Sequence, residues 1–473
     1  MKKAKLIFLS LPLTVILAGC VGGKVNAVFA EGEAKNITLN APSDTSMLTS
    51  NCKSYIDAMR EQEKGLSKAK KYQITDLGGE NGVKVEDYLD TGTVEGQNAT
   101  VSGKIPNRSD RNEGVNLTFN VASGHEASQY KVLVSDNKEF TDAKEYTTET
   151  NSVNVNNLFV NTEYYWKVVA GNEESAVGSF KTGDNPRWIT ARSLTADDGR
   201  GIYNVRDMGG YMTDSGRRVK QGLVFRGGEI TTMTSSGHYN TITPAAKKAF
   251  REDMGMVGGV ELDLRGASDI SDNYKACGFA ESGDISYQQY AIKSYEQTFT
   301  QTRSMVAPIF ELLKNADRKP VYYHCFGGAD RTGTVGFLLN GLLGVSYTDL
   351  VIDFELTSYS SINNEHIRSH IDGHQHQYDR WPALLNQIKT DTTGGYAYDS
   401  EVPLKKNIEE FLMKACNVSE ETIEQVREIM LEEAEEPSGK KGCGGSIVAS
   451  SSLLALAAIS GLGVIAFKRK EEK

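Results

Sequence analysis

Cysteine is scarce in this chain. Six residues among 473, at positions 20, 52, 277, 325, 416 and 443, are too few and too scattered for a disulfide-stapled scaffold, so each has to be read singly. An excess of basic charge is missing too. Lys and Arg number 52 against 62 Asp and Glu, a net charge of −10, which argues against nucleic acid or an anionic membrane surface as the partner. No Leu-Pro-x-Thr-Gly sorting signal precedes the C-terminal apolar run, which leaves covalent attachment to a cell wall unsupported. What is present, 39% hydrophobic and 24% charged residues, matches a folded soluble protein with room for about three domains at ~150 residues each.

Both ends are written for a membrane. Met1-Lys2-Lys3-Ala4-Lys5 is a basic n-region, and Leu6 to Ala18 is an apolar stretch too short for an ordinary span; together they predict an export signal over 1–30. Two processing sites compete. Leu17-Ala18-Gly19-Cys20 resembles the lipobox of bacterial lipoproteins, whose Cys is acylated, while Val28-Phe29-Ala30 offers a small-residue cleavage site. At the other end, residues 446–467 carry no charge, and as a helix they reach ~33 Å, enough for a hydrocarbon core of ~30 Å. The tail 468–473, beginning Lys468-Arg469-Lys470, stays cytoplasmic by the positive-inside rule. The expectation is an exported protein anchored in the cell membrane by this transmembrane helix, with everything between the two ends outside the cell.

Between the ends the pattern changes twice. Residues 31–84 are polar, with one helical run near Tyr55 to Lys71, and predict a stalk or a small N-terminal subdomain. Over 85–183, short alternating segments (Val115 to Val121, Tyr130 to Val134, Ser152 to Val155, Tyr164 to Val169) are broken by Gly, Asn and Asp turns, which predicts an all-β sandwich. Its last strands, Asn161 to Val168 and Val177 to Thr182, resemble those of a fibronectin type III domain, a family that mostly supplies spacers and binding modules. From 185 to 434 the apolar runs Val257 to Leu264 and Pro320 to His324 read as buried strands. Helical periodicity over Pro244 to Met254, Tyr295 to Asn315, Thr332 to Leu343 and Leu404 to Cys416 makes this an α/β domain. Residues 435–445 are a polar linker.

The chemistry lies in His324-Cys325-Phe326-Gly327-Gly328-Ala329-Asp330-Arg331-Thr332-Gly333, between a buried strand and an apolar helix. Paired glycines allow a tight turn that directs the backbone N–H groups of 326–329 into one concavity, and the following helix presents its N-terminus to the same point, so an anion is favoured there. Cys325 sits at the floor of that nest, where amide dipoles and the Arg331 guanidinium favour thiolate over thiol. Arg331 binds two oxygens of a phosphoryl group with its planar fork. The expected path is attack by Cys325, a phosphocysteine, then hydrolysis, with Asp330 the nearest group to protonate the leaving oxygen and later to activate water. Thr332 is placed to donate to the thiolate, and His324 to support the loop. No metal or organic cofactor is implied.

These residues resemble the His-Cys-x5-Arg-Thr signature of the Cys-dependent protein tyrosine phosphatases, most closely the bacterial secreted group typified by mycobacterial tyrosine phosphatase B and the listerial lipid phosphatase. Three further segments are similar to motifs of that group: Asn204-Val205-Arg206-Asp207-Met208-Gly209-Gly210-Tyr211, Gly222-Leu223-Val224-Phe225-Arg226-Gly227-Gly228 and Leu262-Asp263-Leu264-Arg265. The resemblance spans about 185–434 and implies a central sheet flanked by helices, with the general acid on Asp330. One departure bears on substrate. The group commonly carries Lys just before that Asp, and Ala329 stands here, which shifts the expectation from phosphoinositide or inositol phosphate toward phosphotyrosine or a less charged phosphomonoester. Arg206, Arg226 and Arg265 offer themselves as pocket-lining cations, with Asp207 in support.

Alternatives stay open at this level. Asp330 is also a natural helix N-cap, in which case Asp263 becomes the acid. A loop that binds phosphorylated ligands without turnover would make the protein a surface receptor or adhesin. His366, His370, His374 and His376 share spacings compatible with metal ligands on a helix face, or with a solvated rim. Tyr378, Arg380 and Trp381 suit a lid.

Overall fold

The computed structural model describes residues 36–75, 82–89, 114–184, 186–192, 201–230, 244–266, 283–360 and 375–433, all within one compact unit spanning 1–433. The export signal, the linker, the expected span 446–467 and the basic tail lie outside the described residues. Among the described residues no helix is long and apolar enough to cross a membrane.

The N-terminal layer is built by period-two alternation. Its strands are β1 (Ile37–Leu39), β2 (Val115–Val121), β3 (Tyr130–Ser135), β4 (Lys144–Thr148), β5 (Ser152–Val155), β6 (Glu163–Ala170), β7 (Glu173–Glu174) and β8 (Gly178–Lys181). They pair antiparallel in two sheets, β1-β2-β5 and β4-β3-β6-β7, with β8 also on β6. On β2, Val115, Leu117 and Phe119 turn inward; on β6, Tyr164, Trp166, Val168 and Ala170 do the same, and both sets meet in one core.

The segment expected as a polar stalk or small subdomain is neither, over its described residues. β1 is an edge strand of the sandwich, and helix α1 (Ser50–Lys64) buries Cys52, Tyr55, Ile56 and Met59 in the core of the C-terminal domain. Polar composition concealed this because α1 is apolar on one stripe only. Thr49 caps it, accepting from the Cys52 amide.

After a two-residue pair, β9 (Ala191–Arg192) with β10 (Gly201–Ile202), the C-terminal domain forms around a five-stranded sheet. The order is β11 (Arg206–Asp207), β12 (Val224–Gly227), β15 (Val321–His324), β13 (Val260–Asp263), β14 (Ser286–Gln289), parallel except for β11. β15 is central and buried at every position, because both faces are covered: Val321 and Tyr323 enter one apolar cluster and Tyr322 the other. The expected helix Tyr295 to Asn315 is broken into Glu296–Gln301, a 3-10 turn at Arg303–Met305 and Val306–Leu313. Register aligns Gly227, His324 and Asp263 across three strands, so their carboxyl ends open on one crevice, the usual ligand position of a parallel sheet. Cys325 follows β15 there.

The sandwich is docked against this domain rather than held apart as a spacer. Arg187, buried, donates to the Leu158 carbonyl at 3.1 Å, the Asn157 carbonyl at 2.8 Å and Asp207 at 2.7 Å, with its guanidinium over the Phe159 ring.

Candidate active site

Five consecutive carbonyls define the loop after β15. The Cys325 carbonyl accepts from His324 Nδ1 (3.0 Å), Phe326 from the Glu229 amide (3.0 Å), and Gly327 from Asn204 Nδ2 (3.1 Å). Gly328 accepts from Asn204 Nδ2 and Arg226 Nη2 (both 2.9 Å), and Ala329 from the Gly333 amide (2.8 Å). A trans peptide sets its N–H opposite the preceding C=O. Carbonyls pinned outward therefore turn the amides of Phe326, Gly327, Gly328 and Ala329 toward the concave side. The helix Asp330–Leu343 begins at once, adding its N-terminal dipole. Gly328 is required: its φ is +65°, and a Cβ would stand 2.3 Å from the Gly227 carbonyl carbon. Cys325 lies nearly buried beneath this nest, and Phe326, Asp330 and Arg331 at its mouth are partly exposed.

Residues 198–432 match the family model described as "Tyrosine phosphatase family". The chain is a Cys-dependent phosphatase. A solved structure, the core catalytic domain of the PP-IP phosphatase SIW14 from S. cerevisiae in complex with citrate, is similar at 15% identity, covering 36% of this chain and 89% of that chain with a TM-score of 0.23. No curated protein matches.

The phosphatase uses its arginines differently from the expected pocket lining. Arg206 and Arg226 are fully buried behind the loop, both paired with Asp353. Arg206 also donates to the Asn204 side-chain carbonyl and to the Asp353 backbone carbonyl at 3.0 Å. Burial opposes the charge on Asp353, but the two guanidinium groups outweigh it and hold the carboxyl below its usual range. Arg265, nearly buried, forks onto Asp263 and reaches Glu229. Asp207 accepts from the Gly209 amide (2.8 Å) and the Gly222 amide (2.7 Å) as well as from Arg187, which makes it an architectural anchor.

Asp263 does not suit the alternative role of acid. Four donors saturate it: the Arg265 amide, the Nε and Nη2 of the Arg265 guanidinium, and the Tyr287 hydroxyl. Burial would raise its pKa, yet His324 and Arg265 lower it on balance, and such a carboxylate has no proton to give at neutral pH. His324 is fully buried, with Nε2 2.9 Å from Glu261. Burial works against its charge, while Asp263 and Glu261 outweigh that and raise its pKa. With Nδ1 on the Cys325 carbonyl it supports the loop. Asp330 is the first residue of its helix, not the cap: Ala329 holds that position, without a side-chain bond. The Asp330 carboxyl instead accepts from the Tyr295 hydroxyl at 2.8 Å. The Thr332 hydroxyl is buried without a hydrogen-bond partner, so the expected donation to sulfur is not made.

Of the lid residues, Trp381 is core, against Phe337 and Phe354 with its indole N–H on the Tyr347 hydroxyl at 3.0 Å, and Arg380 pairs with Glu296. His366, His370 and His374 lie outside the described residues, and among those described no cluster of metal-ligating side chains exists. Sequence reasoning missed the loop's supports, Asn204, Asp353, Glu261, Glu229 and Tyr295. The available signal was Asp353 itself, a carboxylate flanked in sequence by Ile352 and Phe354 on a helix that is buried along most of its length.

Proposed function

We propose that this phosphatase hydrolyses phosphomonoesters, phosphotyrosine in proteins foremost, through a phosphocysteine on Cys325. The Cys325 thiolate attacks phosphorus while the bond to the leaving oxygen breaks, and Asp330 gives that oxygen its proton. Water then attacks the phosphocysteine, its proton passes to the Asp330 carboxylate, and the S–P bond breaks to return thiolate and inorganic phosphate. Arg331 and the inward amides of 326–329 hold the equatorial oxygens throughout. The single observation that carries this reading is the hydrogen bonding of four successive carbonyls, Cys325 to Gly328, to supporting residues behind the loop, which turns the amides of 326–329 toward an anion.

A substrate of modest charge is favoured by the same geometry. Ala329 adds no cation at the rim, and Arg206, Arg226 and Arg265 are spent on buried carboxylates. The sandwich is read as a fibronectin type III-like domain on the strength of its three-stranded sheet facing a larger one and its closing strands. Placement outside the cell, anchored by 446–467 and with Cys20 a lipidation site, rests on the sequence of the two ends.

The test uses the full-length chain with p-nitrophenyl phosphate, EDTA and a reductant. Turnover resistant to chelation, abolished in Cys325→Ser and reduced about 10²–10⁴-fold in Asp330→Asn, is the expected result. A folded wild-type protein that binds phosphotyrosine without turnover would make it a receptor. A higher kcat/KM on inositol hexakisphosphate than on a phosphotyrosyl peptide would overturn the substrate assignment alone.

A further inference from the structure

Tyr295 occupies a conformation that an L side chain rarely adopts, φ 50° and ψ −127°, directly ahead of the helix Glu296–Gln301. Glycine is the ordinary occupant of such a position, and a bulky residue is kept there only where its surroundings over-determine it. Three contacts do so. The Tyr295 amide donates to Thr334 Oγ1 at 2.9 Å, the ring packs edge-on against Phe354, and the hydroxyl donates to Asp330 Oδ1 at 2.8 Å. Thr334 Oγ1 in turn donates to the Asp330 backbone carbonyl at 3.0 Å. Both the backbone and the side chain of Asp330 are thus tied to one strained residue 35 positions earlier. The side chain is 2% exposed, so the hydroxyl is fixed in place.

We propose that Tyr295 is the positioning residue for the proton-transfer group of this phosphatase, turning the Asp330 carboxyl toward the leaving oxygen in the first step and toward water in the second. The assignment rests on Asp330 being the acid. A tyrosine at φ 50° serves this purpose because it delivers a rigid, two-torsion arm whose tip is a donor, whereas glycine would relieve the strain and lose the arm. The strain is the cost of aiming the carboxyl.

Leaving-group dependence separates this role from simple structural support. 2,4-Dinitrophenyl phosphate departs without a proton, and phenyl phosphate needs one. The full-length wild type, Tyr295→Phe and Asp330→Asn are compared on both esters, with thermal melting as a check on folding. Tyr295→Phe keeps the ring, its packing and the backbone, and removes only the hydroxyl. Expected is a fall in kcat/KM, which reports phosphoryl transfer to Cys325 and not the later hydrolysis common to both esters, of about 10-fold or more on phenyl phosphate, with kcat/KM on 2,4-dinitrophenyl phosphate changed less than about 3-fold, and Asp330→Asn showing the same pattern more strongly. Equal losses in kcat/KM on both esters in Tyr295→Phe, or no loss on either, would overturn the positioning role while leaving Asp330 intact as the acid. Should Asp330→Asn itself show no leaving-group selectivity, the acid assignment falls and the role of Tyr295 falls with it.

Discussion

Asn204 donates its side-chain amide to the carbonyl of Gly328 at 2.9 Å across 124 residues of chain. The same nitrogen reaches the Gly327 carbonyl, so one side chain orients two of the peptides whose amides line the anion nest. Asn204→Asp places an acceptor against two carbonyls. The expected outcome is a loss in kcat/KM on p-nitrophenyl phosphate of about 10²-fold, the scale of a misplaced catalytic group. Asn204→Asp with full activity would remove this amide from the account of the loop.

Asp353 neutralises two arginines that have no water to turn to. Asp353→Asn leaves both buried charges short of a counter-ion and should destabilise the fold by about 3–5 kcal/mol in urea unfolding at pH 7. The pH dependence has a definite sign. The Asp353 pKa is lowered in the folded state, so its contribution is complete above its ordinary value near ~3.9 and is lost as pH falls through the depressed one. The stability gap between wild type and variant should accordingly be constant from pH 5 to 7 and close in strong acid.

His324 behaves in the opposite sense. Its pKa is raised, so its stabilising contribution is full below the ordinary value of ~6.5 and disappears as pH climbs through the folded one. In NMR titration the resonance absent from His324→Asn should change state above pH 6.5. The stability difference between the two proteins should narrow over the same alkaline interval, and a widening gap would contradict the ion pair with Glu261.

Two glycines of the loop and helix make a matched pair. Gly328→Ala drives a methyl group into the Gly227 backbone and strains a φ of +65°, so activity should fall by at least about 10²-fold with a loss of stability. At Gly333 the nearest atom to a Cβ is 3.7 Å away, an ordinary contact. Gly333→Ala should leave the fold intact and add about 0.5–1 kcal/mol, measured by chemical denaturation.

Much of the architecture was legible because buried and half-buried strands leave different marks. β2 and β5 alternate and fall on the residues the pattern indicated, while β15 reads as a solid apolar run. The Cys325 loop was visible because its chemistry is contiguous. Its supports were not, since Asn204, Arg226 and Asp353 act over 100 residues or more from the loop or from one another. Arginine is usually a surface residue, so Arg206 and Arg226 looked like pocket cations; one shared carboxylate made their burial affordable. Nothing in the identity of Tyr295 announces a positive φ. Trp381 suggested a lid by its polar company, Tyr378 and Arg380, whereas the helix turns its ring into the core.

Tyr55 and Glu355 meet as donor and acceptor 300 residues apart. A ribosome makes α1 long before the helix Tyr347–Glu355 on which it sits, so much of the apolar stripe of α1 must wait for about three quarters of the chain to emerge. Contacts of such separation slow folding and leave the early segment prone to aggregation meanwhile. The two layers are also interlaced: the path runs from sandwich strand to core helix, back through the sandwich, and into the α/β sheet. A shortened protein that begins at residue 185 lacks the four side chains that α1 inserts, Tyr55 with its hydrogen bond to Glu355 among them, and its core is left incomplete. The helix Ser50–Lys64 completes a core whose larger part the chain supplies only later.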